Sequence, residues 1–298
     1  MPTSHAVVDP SLEDTRAHVT RRAVVATIVL SVATMVVLAL LAALVGQPLL
    51  GALAGLVVAG VVAAVVWTRS DRLVLRLGGA RPADEVTHAR LHNVIEGLCV
   101  GGGLPKPDLY VIDDVAGNGF VAGRGPKSAS VAVTTGLLDA LDRVELEGVL
   151  AHLLVRVKSH EILAATVAVP TAGIGALLGD LCVRAGGGFP PLAALGGILL
   201  APSATWARLI AGVAGASHLS ATDRDAVALT RYPPGLTAAL EQLEARGTVV
   251  ASGLRSTAHL WLAAPISAED RNEPLADRNA EYLAHAPLSE RLEILREL

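Results

Sequence analysis

Two long apolar runs near the start of the chain constrain its fold more than any other feature. Residues 23–46 and 49–67 contain no charged side chain, and a helix needs about 20 apolar residues to cross a bilayer. The first run is too long for the core of a signal peptide, and the second follows it at once. The sequence therefore predicts a transmembrane helical hairpin over 23–67, preceded by a polar N-terminal tail at 1–22.

Composition and charge agree with a membrane protein. Hydrophobic residues make up 52% of the 298 positions and charged residues 17%, which is apolar for a soluble protein. The net charge of −4 argues against a general nucleic-acid binder. The turn of the hairpin carries no arginine, but its outer ends do: Arg21, Arg22, Arg69, Arg72 and Arg76. The positive-inside rule then places the N-terminus and the rest of the chain in the cytoplasm.

After the hairpin the periodicity changes twice. Helical spacing predicts a helix from Asp84, as its cap, to Cys99. Alternating or β-branched segments then predict strands at 109–112, 119–123 and 130–134, of which the last two form a β-hairpin. Thr134 or Thr135 is predicted to cap a short helix through Leu141, and Asp142 with Glu145 to form a capping box at the start of the next helix.

A second apolar region occupies residues 164–213. It contains Asp180 and Arg208, and an ionised group is expensive in lipid. Two further spans, a re-entrant hairpin and a helical pair buried within the protein all remain open. Other helices are predicted at 217–230, 236–246 and 287–298.

One predicted helix, over 145–163, carries the residues that point to chemistry. His152 and Arg156 are four positions apart and so lie on one side of it. In zinc peptidases this spacing carries H-E-x-x-H, in which two histidines bind the metal and the glutamate is the general base. Here the five residues are H-L-L-V-R. The helix has the frame of a metallopeptidase and lacks most of its chemistry.

Several stretches, in the correct order, resemble the HtpX-like integral-membrane zinc metalloproteases. The resemblance covers about residues 20–298. Its main segments are LPKPDLYVIDD (104–114), NGFVAGR (118–124), VAVTTGLLDALDRVELEGVLAH (131–152), HLLVRVKSHEIL (152–163), ASHLSATDRDAVALT (216–230), STAHLWLAAP (256–265) and AHAPLSERLEILREL (284–298).

The resemblance implies an α+β, mainly helical fold in a bacterial inner (plasma) membrane. The transmembrane hairpin would be followed by a cytoplasmic zincin-like (gluzincin) peptidase domain with a small sheet, over 68–298. A second apolar helical pair, at about 164–213, would interrupt that domain. The protein would then be multi-pass, with the N-terminus and the peptidase-like domain both cytoplasmic.

Carried over residue by residue, the resemblance implies a degenerate zinc site. His152 matches the first zinc ligand, but Leu153 stands at the general base and Arg156 and Leu219 at the other two ligand positions. A catalytic zinc site needs about three protein ligands. We therefore expect no cofactor, with zinc only if the ligands have been rearranged.

Two further residues are expected to lie near this degenerate site. His218 is beside the lost ligand position and could approach His152. Asp223 is expected to hold the 145–163 helix, by pairing with Arg156 or by capping nearby amides.

Three functions remain open. The first is a catalytically inactive homologue that binds extended peptide by strand addition and acts as an adaptor in membrane-protein quality control. The second is an active zinc endopeptidase with relocated ligands. The third is a structural membrane subunit whose cleft is filled by side chains, with Arg156 paired to Asp223. The predicted peptide-binding strand contains Asn118, Phe120, Gly123 and Arg124.

The expected partners follow from these functions. The lipid bilayer is one. Unfolded membrane proteins or a membrane protease complex are the others, and no nucleic acid is expected.

Overall fold

The computed structural model describes residues 10–44, 46–186, 189–214, 219–267, 276–283 and 287–298. The protein is mainly helical with one small sheet, as predicted. Its helices are α1 (Pro10–Ala43), α2 (Pro48–Leu77), α3 (Ala89–Gly102), α4 (Thr135–Ala140), α5 (Arg143–Lys158), α6 (Ile162–Ala168), α7 (Ile174–Ala185), α8 (Pro190–Leu200), α9 (Ser203–Ala214), α10 (Leu219–Thr230), α11 (Pro233–Arg246) and α12 (Leu288–Arg296). The strands are β1 (Arg81–Pro82), β2 (Asp108–Ile112), β3 (Gly119–Gly123) and β4 (Ala129–Thr134).

Helices α1 and α2 form the predicted hairpin. Both are long and apolar enough to cross a membrane, over Ala17–Ala43 and Pro48–Leu77. They approach closely because a side chain is missing at Gly55, where an added Cβ would lie 2.8 Å from the Cα of Met35. Helix α1 begins at Pro10, so the predicted tail is helical from that residue onward.

The helical part of that tail is held by packing. Val19 is buried in one cluster with Leu163, Ala164 and Val167 of the later domain. The first helix therefore belongs partly to the domain that follows the hairpin, because its apolar residues find a surface there.

The apolar region at 164–213 forms α6 to α9. Helices α8 and α9 together are apolar enough to be a third span, but they are bent by 58° at the break between them. Asp180 of α7 does not face lipid, because its carboxylate binds Arg255: Nη1 lies 2.5 Å from Oδ1 and the backbone N–H 2.9 Å from Oδ2. This buried ion pair fixes α7 to the domain.

The sheet has the order β1-β2-β4-β3, with β3 at one edge. Strands β3 and β4 are the predicted antiparallel hairpin, and Val121 is paired with Val131. Strand β2 runs parallel to β4. Thr134 then caps α4 by accepting a hydrogen bond from the Leu137 N–H, as predicted.

Helix α5 crosses the centre of the domain. Asp142 and Glu145 form the predicted capping box at its start. The prediction of one helix to residue 163 is wrong, because α5 ends at Lys158 and α6 begins at Ile162. His160, between them, has a φ of 62°, the left-handed conformation that does not continue an α-helix.

The predicted start of α3 is also wrong. The helix begins at Ala89, and Asp84 instead stabilises a preceding turn by accepting hydrogen bonds from the N–H groups of Val86 and Thr87. Val86, which the helical pattern places on the buried face, is exposed.

Candidate functional site

The imidazole of His152 is part of a buried chain of polar groups. Its Nδ1 lies 2.7 Å from Oδ1 of Asp223, on the neighbouring helix α10. Arg291 of α12 binds the same carboxylate twice, with Nε 2.8 Å from Oδ2 and Nη2 2.8 Å from Oδ1. All three side chains are buried. Asp223 thus links α5, α10 and α12.

The charges in this chain follow from the contacts. Burial lowers the pKa of His152 and outweighs the opposing effect of Asp223. Burial opposes ionisation of Asp223 as well, but the charges and hydrogen bonds of His152 and Arg291 hold the pKa of that carboxyl below its ordinary value. We therefore assign a neutral imidazole whose Nδ1–H donates to an ionised carboxylate, an arrangement that orients histidine ligands in metal sites.

The other ring nitrogen of His152 is left unpaired. Nε2 is buried and has no hydrogen-bond partner among the residues that the structure describes. A neutral imidazole binds a metal ion through the lone pair of a ring nitrogen such as this one. Among the described residues of the site, His152 alone therefore keeps the geometry of a metal ligand.

Arg156, one turn further along α5, binds backbone carbonyls. Its Nη1 lies 2.5 Å from the carbonyl oxygen of Leu260 and 3.4 Å from that of Trp261, and its Nη2 lies 3.1 Å from that of His259. These carbonyls are at the C-terminal end of the 3-10 helix Arg255–Leu260, where the partial charge is negative. Burial lowers the pKa of Arg156 to about 10, so the guanidinium stays charged at neutral pH.

The predicted pairing of Arg156 with Asp223 is therefore wrong. Both oxygens of Asp223 are already bound by Arg291, and Oδ1 also accepts from His152. In the described part of the chain, Arg156 forms no ion pair with a carboxylate, and its Nη1 and Nη2 donate to the three carbonyls instead.

Among the described residues, the rest of the zinc frame supplies no further ligand. Leu153 is fully buried in the main core cluster. Leu219 is the first residue of α10, but its side chain lies outside the described part of the chain, and so does His218. No group of three His, Cys, Asp or Glu side chains in the described residues could hold a metal ion.

The donor set around His152 does not suit zinc. One neutral imidazole faces a permanent cation on the same helix, and a cation at a ligand position repels Zn²⁺. The described residues do not fit the metal, and no catalytic step through zinc can be derived from them.

The outer edge of β3 is covered by the chain itself. The N–H of Leu262 donates to the Gly119 carbonyl at 2.7 Å, and Phe120 is paired antiparallel with Trp261. The ring centroids of Phe120 and Trp261 are 4.8 Å apart, and the two rings pack edge to face. Residues 261–263 thus lie where the first hypothesis places an extended peptide.

The predicted peptide-binding residues serve this closed arrangement. Asn118 donates from Nδ2 to the carbonyls of Thr248 and Ala263, at 2.8 and 3.0 Å. The N–H of Gly123 donates to Thr166 at 3.0 Å. Arg124 is exposed just past the end of β3, and its Nη1 reaches the Trp67 carbonyl at 3.4 Å. In this structure a peptide could pair with β3 at Phe120 only by displacing residues 261–263.

Sequence reasoning missed Arg291 and the carbonyls of residues 259–261. Arg291 lies in the segment 284–298 that resembles the end of the HtpX-like proteins, so a signal for it existed. Nothing in the local sequence pointed to the three carbonyls, because any residue supplies a backbone oxygen.

The fold and the site define a class: a membrane protein whose α+β domain has the helical frame of a zinc peptidase around one retained histidine. Comparison with known proteins identifies the family within this class. The family described as Peptidase family M48 matches residues 85–298. The chain belongs to that family, as an HtpX-like member.

The relatives carry the same name. Protease HtpX homologs from Tropheryma whipplei (strain Twist) and Dictyoglomus thermophilum are 34% and 33% identical to this chain, over 79% and 77% of it and 81% and 76% of their own lengths. A homolog from Salinibacter ruber is 33% identical over 89% of this chain and 96% of its own. No solved structure matches the chain.

Proposed function

We propose that this protein is a catalytically inactive membrane metallopeptidase homologue that acts as a binding or adaptor protein in membrane-protein quality control. One observation carries the loss of activity: the buried guanidinium of Arg156 binds three backbone carbonyls at the position of the second zinc ligand. A fixed cation there disfavours a second cation at His152.

The missing base supports the same proposal. A zinc peptidase needs a group that accepts a proton from the attacking water. The side chain at the corresponding position is Leu153, which cannot exchange a proton and is fully buried. Restoring one ligand would therefore not restore hydrolysis.

The proposed location is a bacterial plasma membrane, with the N-terminus and the peptidase-like domain in the cytoplasm. Arginines at the domain end of α2 support this orientation, since basic residues favour the cytoplasmic side: Arg69, Arg72 and Arg76. The partners in this proposal are unfolded membrane proteins or a membrane protease complex.

A purely structural membrane subunit is the second candidate. The covered edge of β3 favours it, because residues 261–263 occupy the surface that an extended peptide would use. An adaptor would have to displace these residues or use another surface.

A proteolysis assay tests the loss of activity. The purified full-length protein is incubated with an unfolded membrane substrate, with and without a chelator, beside the His152→Ala variant. We expect no cleavage that depends on His152. Cleavage that is abolished by both the chelator and the substitution would contradict the proposal and favour a peptidase with relocated ligands.

A cross-linking experiment separates the adaptor from the structural subunit. A photoreactive residue at Arg124, which is exposed near β3, is compared with one at Arg246, exposed on α11. Capture of unfolded membrane protein from position 124 alone supports the adaptor. Equal or absent capture at both positions favours the structural subunit.

A further inference from the structure

A deep apolar groove lies between α1, α9 and the turn that precedes α7. Its volume is about 610 Å³, within the range of sites that hold a small molecule. One wall is a stripe of α1 that includes Val25, Val29 and Ala33, and the other includes Leu209 and Gly212 of α9. This groove is separate from the site around His152.

The depth of the groove matches one leaflet of a bilayer. Along α1 the part of its lining from Arg22, the last charged residue, to Ala33 is about 17 Å long at 1.5 Å per residue. Half of a typical hydrocarbon core is about 15 Å. A fatty acyl chain that enters beside Arg22 would therefore remain inside the groove for the full thickness of its leaflet.

The charges of the groove are confined to one end. His18, Arg21 and Arg22 line that end, and all three are exposed. None of the described residues that line the groove is acidic. The two arginines lie just before the uncharged part of the span, at the level where a lipid phosphate sits.

Exposure to lipid alone does not distinguish this surface, since any apolar face of a membrane span contacts acyl chains. The concave shape and the cationic end are what set it apart. Charge complementarity selects an occupant with an apolar chain and an anionic head.

We propose that this groove is a binding site for an anionic phospholipid. One acyl chain lies between α1 and α9, and Arg21 and Arg22 bind the phosphate. The lipid would fix α1 against α9 and so hold the transmembrane hairpin to the apolar part of the domain.

Native mass spectrometry of the full-length protein in detergent tests the proposal. The probes are phosphatidylglycerol and phosphatidylcholine with identical acyl chains. We expect one phosphatidylglycerol per chain, bound at least about tenfold more tightly than phosphatidylcholine, since each of the two arginines near the membrane surface contributes about fivefold. Equal binding of the two lipids would overturn the proposal.

Two charge variants locate the head group. Arg21→Gln with Arg22→Gln is expected to weaken phosphatidylglycerol binding about tenfold or more. Arg143→Gln with Arg246→Gln removes the same charge from exposed positions on α5 and α11, and should leave binding unchanged. If both pairs weaken binding equally, the attraction is general and the assigned site is wrong.

Two glycine variants locate the acyl chain. An added Cβ at Gly212 meets no atom within 4 Å, so the side chain of Gly212→Leu starts in open space and takes up room in the groove. Gly60 of α2 has the same open surroundings and lies outside the groove, which makes Gly60→Leu the matched control. Loss of lipid in the first variant alone supports the proposal. Loss in both variants or in neither would overturn it.

A photoreactive amino acid at Leu209 identifies the occupant in intact membranes. We expect cross-links to phospholipid. A cross-link to a polypeptide instead, whether a second copy of this chain or another membrane helix, would show that the groove serves protein association.

Discussion

The two residues of α5 that occupy the metal-ligand positions have opposite surroundings. His152 is supported by the ionised Asp223, which is itself neutralised by Arg291. Arg156 carries a full charge, forms no ion pair with a described carboxylate and donates to backbone carbonyls, although the charge of Glu161 also acts on it. The side chain that orients a metal ligand is thus still present at one end of the frame. At the other end a cation replaces a ligand, and the two halves should respond differently to mutation.

The largest effect is expected at the His152 end. Asp223→Ala would leave the buried Arg291 guanidinium without a counter-charge, and breaking a buried pair in this way costs about 3–5 kcal/mol of unfolding free energy. Thermal or denaturant unfolding in detergent measures it. The double variant Asp223→Ala with Arg291→Met removes both charges and should recover most of the loss. If the double variant recovers none of the lost stability, the broken ion pair is not the cause of the loss.

A smaller loss of unfolding free energy is expected from a substitution of Arg156. Arg156→Ala removes the charge together with its donors, so no isolated charge remains, and only backbone carbonyls lose a partner. The cost should be about 1–3 kcal/mol, by the same unfolding measurement. A loss as large as that of Asp223→Ala would mean that Arg156 also balances a charge. Unchanged stability would show that Arg156 does not hold residues 259–261 in place.

The pH dependence of stability sharpens the comparison near the Arg156 end. Burial, together with the charge of Arg156, lowers the pKa of His259 to about 4. The folded state therefore keeps a neutral imidazole, while the unfolded chain takes up a proton below about pH 6.5. Stability from His259 is full above that pH and falls as the pH decreases toward 4, by about 1–2 kcal/mol at pH 5.

The matched variant for this dependence is His259→Gln. Its amide keeps a donor for the Ala165 carbonyl, which Nε2 of His259 approaches at 2.8 Å, but does not titrate. The decline between pH 7 and pH 5 should become shallower in this variant. An identical decline would assign it to other groups, His152 first among them.

The smallest effect is expected at an exposed ion pair. Arg296 on α12 approaches Glu241 on α11 at 2.7 Å, and both side chains are about half exposed. Arg296→Gln should leave the unfolding free energy unchanged within the error of the measurement, because solvent screens the pair. A change as large as that of Asp223→Ala would show that burial does not explain the difference between the sites.

Local sequence signals predicted the parts of the fold that depend on neighbours along the chain. The uncharged runs gave the hairpin, and Asp142 with Glu145 gave the start of α5. Features that depend on distant partners were missed. Asp223 lies 68 residues from Arg291, and residues 261–263 reach β3 from more than 130 positions away. The break at His160 was missed because its residue type does not require a positive φ.

As with the fold, only the part of the site that depends on local sequence was predicted. The H-L-L-V-R segment predicts the ligand positions and which side chains are lost, since these are statements about residue type. The contacts of Arg156 were not predictable, because its acceptors are backbone atoms. The covering of β3 was not predictable either, because the hairpin pattern does not show what lies along its outer edge.

Metal content tests the central claim most directly. The full-length protein, purified in detergent, is analysed for zinc by mass spectrometry beside the His152→Ala variant. Because Arg156 holds a fixed positive charge at one ligand position and Leu153 replaces the base, we predict zinc well below one atom per chain in both samples. About one zinc per chain in the unchanged protein, lost on His152→Ala, would contradict the claim and show that other residues complete the site.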